Sequence, residues 1–250
     1  MNKSILALAL ILSFPASSEP LGVFAPKNPK AFSMYNKVMV ADESKTFARG
    51  GDCLVCGEVK GPYSASSLIK KYKNNELAAN KELKGNKIRV KTIATEIGED
   101  FRGKAYIRAD GDNPFESINM YVDGNDERFL NMSRGDRIDL VCSDIKYIMH
   151  TPMLDSCVMS SDFVKSIFYP DNVEVTSSTE SDNEYRALSV FIYKFQEDRI
   201  ESACLKTEKS CTKEIKSMLQ NLEASEEFKK LVDENKEQAR RLVPELFKKG

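Results

Sequence analysis

The chain has 250 residues, 41% hydrophobic and 30% charged, with 37 Lys+Arg set against 38 Asp+Glu and only 12 Gly. That apolar content excludes a disordered chain, and the glycine count excludes a collagen-like repeat. The net charge of −1 argues against a general binder of phosphate backbones, and the length suits one domain or two small ones.

Residues 1–18 read as a secretory signal peptide. Lys3 supplies a positive start, and Ile5 to Phe14 form an apolar run too short to cross a bilayer. Ala16-Ser17-Ser18 then offers small residues for cleavage before Glu19. No later stretch is long enough to span a membrane, so the expected address is periplasmic or secreted.

Export makes the cysteines readable. Cys53, Cys56, Cys142, Cys157, Cys204 and Cys211 fall in three local pairs, which favours nearest-neighbour disulfides over the other connectivities that six thiols allow. Cys142 and Cys157 are symmetric about Met149-His150, so a hairpin folded there sets them opposite each other. Cys53-Leu-Val-Cys56 also has the spacing of a metal knuckle or a redox motif. A structural zinc site needs four ligands, however, and no second such pair occurs; a thioredoxin-like site wants a βαβ context that Gly50-Gly51-Asp52 does not supply.

The segment 19–62 is rich in turn formers and is expected to be irregular, with one possible helix around Lys30 to Met39. The next zone, 63–160, opens with a helical stretch from Ser66 to Leu83, stopped by Gly85. Period-2 alternation follows, with Ile88, Val90 and Thr92 on one face and Lys87, Arg89 and Lys91 on the other. At Ile93 the phase slips, and Ile93, Thr95 and Ile97 continue the apolar face. The expectation is one long strand from Lys87 to Glu99, bent by a bulge near Thr92 to Ala94, with Ile88, Val90, Ile93 and Ile97 all buried. Further strands are expected at Ala105 to Ala109, Ile118 to Val122, Arg137 to Tyr147 and Met153 to Met159. Turn signals separate them at Gly103, Gly111, Gly124 and Gly135. Five short strands led by a long bent one indicate a small closed or nearly closed barrel.

The last zone, 161–250, turns helical after a polar linker, Thr176 to Asn183. Leu188, Phe191, Ile192 and Phe195 share one helical face, as do Ile215, Met218, Leu219 and Leu222. A third stripe runs through Phe228, Leu231, Val232, Ala239, Leu242, Val243 and Leu246. Cys204 and Cys211 lie between the first two sets, where a bridge would pin a helical hairpin.

Asn75-Glu76-Leu77-Ala78-Ala79-Asn80, followed by Leu83-Lys84-Gly85-Asn86-Lys87-Ile88-Arg89-Val90, resembles the opening of the bacterial exported tRNA_anti-like family. Leu130 to Ile138 (LNMSRGDRI) is similar to that family's approach to its fourth strand, and Leu154-Asp155-Ser156-Cys157-Val158 to its closing strand. The likeness covers roughly residues 66–160, with Asn80 where the family more often has Asp. It implies an OB fold and assigns no activity.

An OB surface that binds nucleic acid needs aromatic platforms beside a basic groove. Tyr106, Tyr121, Phe115 and Phe129 are candidate platforms, with Lys87, Arg89 and Lys91 as a cationic strand face. From Lys87 to Ser160 there are 10 Lys+Arg against 13 Asp+Glu, a balance of −3, which disfavours that reading. The only histidine, His150, falls in a strand-connecting turn; no nucleophile motif or phosphate-cradling loop occurs, and Cys53–Cys56 is the one pair with metal-ligand spacing, so no catalytic residue, metal or cofactor is expected.

The sequence therefore describes an α+β chain: a small five-stranded OB-like β-barrel (63–160) preceded by a helix, with a C-terminal α-helical extension (161–250). The function expected is non-enzymatic binding of an envelope protein, a peptide or a small polar ligand, with Lys87, Arg89, Lys91, Tyr106 and Tyr121 as the possible ligand face. The alternatives are an oligonucleotide-binding barrel and an assembly component docking through its C-terminal helices.

Overall fold

The computed structural model describes residues 26–51, 53–168 and 184–222, with Glu226 and Lys230 beyond them. The signal-peptide segment, the Thr176–Asn183 linker and the stripe from Phe228 to Leu246 lie outside the described residues, as do the side chains of Leu188, Phe191 and Leu219.

The first element corrects the expectation of an irregular N-terminal segment. Helix α1 runs over Pro29–Arg49. Asn28 caps it, its side-chain oxygen accepting from the backbone N–H groups of Lys30 and Ala31, and Pro29 supplies a pre-set first turn. Gly50, at φ 75°, ends it in the left-handed conformation and donates to the Phe47 carbonyl.

A 3-10 turn (Leu54–Glu58) leads to β1 (Lys60–Tyr63), followed by α2 (Ala65–Asn74) and α3 (Glu76–Leu83). The helix read as continuous from Ser66 to Leu83 breaks at Asn75. That residue is extended, and its side chain accepts from the Ala78 N–H, so it closes α2 and caps α3 at once.

The strands that follow are β2 (Ile88–Ile93), β3 (Glu96–Glu99), β4 (Ala105–Asp110) and β5 (Ser117–Val122). A one-turn helix α4 (Glu127–Leu130) precedes β6 (Arg137–Cys142), β7 (Asp144–Ile148) and β8 (Thr151–Met159). They form one eight-stranded sheet in the order β1-β2-β6-β8-β5-β4-β3, with β7 hydrogen-bonded to β8. This path is open, so the closed five-stranded barrel is not what forms. Two expected strands are each divided: Lys87 to Glu99 into β2 and β3, and Arg137 to Tyr147 into β6 and β7, at Ser143. β1 adds an edge strand parallel to β2. There the Gly61 Cα comes so near the Arg89 carbonyl that a Cβ would stand 2.6 Å from that oxygen.

The bend lies two residues later than the hydrophobic pattern suggests. Ile88, Val90 and Ala94 are fully buried, whereas Ile93 is 50% exposed on the outer face. Thr95 donates its N–H to the Arg108 carbonyl, and Glu96 is the register partner of the same Arg108. Two residues facing one is a β-bulge, and it returns Ile97 to the inner side. Apolar residues on both sides of a strand make such a slip ambiguous in sequence, and small Ala94 is what the bend accommodates inside.

The core on the inner side of the curved sheet gathers Ile88, Val90, Ile107, Ile118, Met120, Leu140 and Leu154, together with Leu68, Ile69 and Tyr72 of α2. The expected hairpin at Met149-His150 is present. Both residues adopt positive φ (48° and 65°), and Ile148 pairs with Thr151 across them. Disulfides join Cys53–Cys56, Cys142–Cys157 and Cys204–Cys211.

Helices complete the molecule: α5 (Ser160–Phe168), α6 (Glu184–Phe195), α7 (Glu197–Cys204) and α8 (Glu208–Leu222). Phe163, Val164 and Phe168 of α5 meet Val40 and Phe47 of α1 over the outer face of β6 at Val141. On the other side of α1, Phe32 and Tyr35 pack edge-on against Tyr193 of α6, with centroids 5.0 and 5.1 Å away. The Cys204–Cys211 bridge fastens α7 to α8.

Candidate functional site

The strand face Lys87-Arg89-Lys91 packs toward α1 and α5, with Arg89 buried and Lys87 and Lys91 exposed. Arg89 is only 2% exposed. Its guanidinium makes two bonds to Asp139 (2.8 and 2.6 Å), donates to the Phe47 carbonyl and stacks 3.9 Å from the Phe47 ring. Lys91 donates to the Ala48 carbonyl at 2.8 Å, and Lys87 lies over the Phe163 ring at 5.4 Å. Arg89 and Lys91 thus satisfy carbonyls of the last turn of α1, where the helix dipole favours positive charge. The face is a seam between barrel and helices.

Tyr106 and Tyr121 sit elsewhere, as register partners on the outer face of β4 and β5, their rings 6.3 Å apart and steeply inclined. The Tyr106 hydroxyl donates to the Glu96 carboxylate, and this bond, with partial burial, raises its pKa. Lys104 lies over the Tyr121 ring at 4.3 Å while bonding Asp155 at 2.6 Å; Lys146 reaches the same carboxylate at 3.1 Å. The Lys104 hydrogen bond is the main reason Asp155 is held below the usual carboxylate range. Arg108 pairs with Asp110 at 3.2 Å and lies 3.9 Å from Glu96. The face is aromatic, and its charges largely neutralise one another. Of the other two candidate platforms, Phe115 is 94% exposed at the β4–β5 turn, and Phe129 is buried.

A groove of about 420 Å³ opens beside this face, at the barrel end opposite α2. Only the single turn of α4 covers that end. Ile97, Gly98 and Glu99 of β3 form one wall, Ala105, Tyr106 and Val122 the floor, and Phe129, Leu130, Met132 and Arg134 the far wall. Beyond the Ile97 end of the groove, the Ala94 N–H donates to the Asp136 carbonyl and the Ala94 carbonyl accepts from the Gly135 N–H. No motif marks these residues. Arg134-Gly135 reads in sequence as a turn, and only the exposed apolar Leu130 hints at an unfilled surface.

Among the described residues no group of three or more His, Cys, Asp or Glu could hold a metal ion, and no helix is long and apolar enough to cross a membrane. His150 stands exposed at the hairpin tip, edge-on to Tyr147.

The sequence model of the tRNA_anti-like family matches residues 1–158, well over half of the chain. The chain belongs to the tRNA_anti-like family. The match reaches back over the N-terminal segment, beyond the 66–160 region in which the resemblance is visible by eye, and so includes α1. It ends within β8, before α5 to α8. No curated protein matches the chain. Membership makes the strand-rich part of the chain an OB-fold module. In this family member β2 and β3 are successive parts of one kinked segment, and β3 ends the strand path at the edge opposite β1.

Proposed function

We propose that the chain is an exported, non-enzymatic binding module of the cell envelope whose OB barrel recognises a protein, a peptide or a small polar ligand. The observation that carries this reading is the groove beneath α4. It is a concave site with apolar walls and two charged residues, Glu99 and Arg134, of the kind that ligand sites commonly take. Export is supported by three disulfides in a chain whose described helices include no membrane span.

The oligonucleotide alternative has the Tyr106–Tyr121 pair in its favour, on the strand face that OB folds use for such ligands. Against it stand Glu96, Asp110 and Asp155, each beside a cation a phosphate would need.

The chain immobilised on resin and challenged with envelope extract from its own host tests the reading. A protein, peptide or small ligand retained by the wild type and lost with Leu130→Glu is the expected result. Retention of nucleic acid that washes off with rising salt would replace the reading with the alternative. Retention of nothing would overturn both.

A further inference from the structure

β3 is the last strand of the sheet, and its far edge borders the groove. In an antiparallel ladder the main-chain bonds fall on alternate residues. Thr95 donates to the Arg108 carbonyl and Asp100 to the Lys104 carbonyl, with Glu96↔Arg108 and Gly98↔Tyr106 as register pairs between them. The N–H and C=O groups of Glu96 and Gly98 therefore turn toward β4, and those of Ile97 and Glu99 toward the groove. The groove thus joins an unused strand edge to an apolar wall of Phe129, Leu130 and Met132. Leu130 is left 68% exposed.

We infer that this edge takes an extended peptide as an added strand, antiparallel to β3, with an apolar side chain against Leu130 and Met132 and a free C-terminal carboxylate at Arg134. The inference rests on the binding-module reading and assigns it a class of ligand. The direction follows from the place of Arg134, which the Gly135–Ala94 bond holds near the Ile97 end of the β3 edge. A chain that enters past Glu99 and runs toward Ile97 brings its C-terminus to that arginine. Arg134, next to Gly135, lines the groove and makes no ion pair among the described residues, and a terminal carboxylate supplies its counter-charge. Strand addition obtains affinity from main-chain bonds and specificity from alternate side-chain pockets.

An arrayed library of fluorescein-labelled pentapeptides with free C-termini, titrated against the full chain by anisotropy, supplies the probe. Peptides with a large apolar residue at or two before the terminus should bind. C-terminal amidation should weaken them tenfold or more, Arg134→Gln should do the same, and the two losses should not add. N-methylation at alternate residues should abolish binding. Hydrogen exchange of the Ile97 and Glu99 amides should slow in the complex, that of Gly98 staying unchanged. Acid and amide peptides binding equally, exchange unaltered at Ile97 and Glu99, or no peptide binding at all would each overturn the inference. A ligand recovered from envelope extract in the same circumstances would leave the broader reading standing.

Discussion

Two strands of this barrel carry nearly the same lettering and meet opposite fates. In β2, Ile88-Arg89-Val90-Lys91 alternates apolar and basic residues; in β4, Ile107-Arg108-Ala109-Asp110 alternates apolar and charged ones. The inward residues of both are fully buried. Outward, Arg89 disappears beneath α1, while Arg108 stays 32% exposed between two carboxylates. Alternation states which residues enter the barrel. What covers the outer face is decided by chain far away, here by Phe47, 42 residues earlier.

Removing the two arginines should separate the faces most sharply. Arg89→Ala leaves Asp139 without its main partner and the Phe47 carbonyl without its side-chain donor. It should cost about 3–5 kcal/mol, the usual range for breaking a buried pair. Arg108→Ala should cost less than about 1 kcal/mol, as exposed pairs do. Urea unfolding of both variants checks this, and equal losses would erase the distinction between covered and open faces.

Acid should act on the open face in a smaller way. Because Lys104 and Lys146 hold the Asp155 pKa below its ordinary value, the charged carboxylate favours the folded state. That contribution is complete above the unfolded aspartate pKa near about 4, and is lost as pH falls through the depressed folded value. Wild type should exceed Asp155→Asn by roughly 0.5–1 kcal/mol at neutral pH, since the pair is partly solvated, with the gap closing below about pH 4. A gap independent of pH would mean that the ion pairs do not form in solution.

The smallest effect belongs to Phe115. As its side chain stands in solvent, Phe115→Ser should shift stability by no more than about 0.5 kcal/mol. A large drop in melting temperature would show that the open face is covered in solution after all.

These contrasts mark how far the residues alone could be read. The core side of β4, β5 and β6 was legible because period-2 burial has one solution there. The Met149-His150 hairpin was legible because its register also aligns Cys142 with Cys157. The bulge was displaced to Thr95 because Ile93 is apolar yet faces outward, and nothing local distinguishes a partly covered isoleucine from a core one. The partners of Arg89 were not legible because an arginine that solvates helix carbonyls has the same spelling as one facing solvent. The groove was invisible for a different reason. Its distinctive chemistry is the main chain of Ile97 and Glu99, which any side chains would provide.

The attachments of α1 bear on the order in which the molecule can be made. Its start is held by Glu197, Glu201 and Ser189, through bonds that join residues 154 to 173 positions apart. Phe32 and Tyr35 lie on the first of the described helices, yet their partner Tyr193 is synthesised after the entire sheet. During synthesis that aromatic face lacks its Tyr193 partner, and this is the interval in which nascent chains associate wrongly. The sheet can gather its own core first, and the last turn of α1 can dock on β2, while the start of α1 has to wait for α6 and α7.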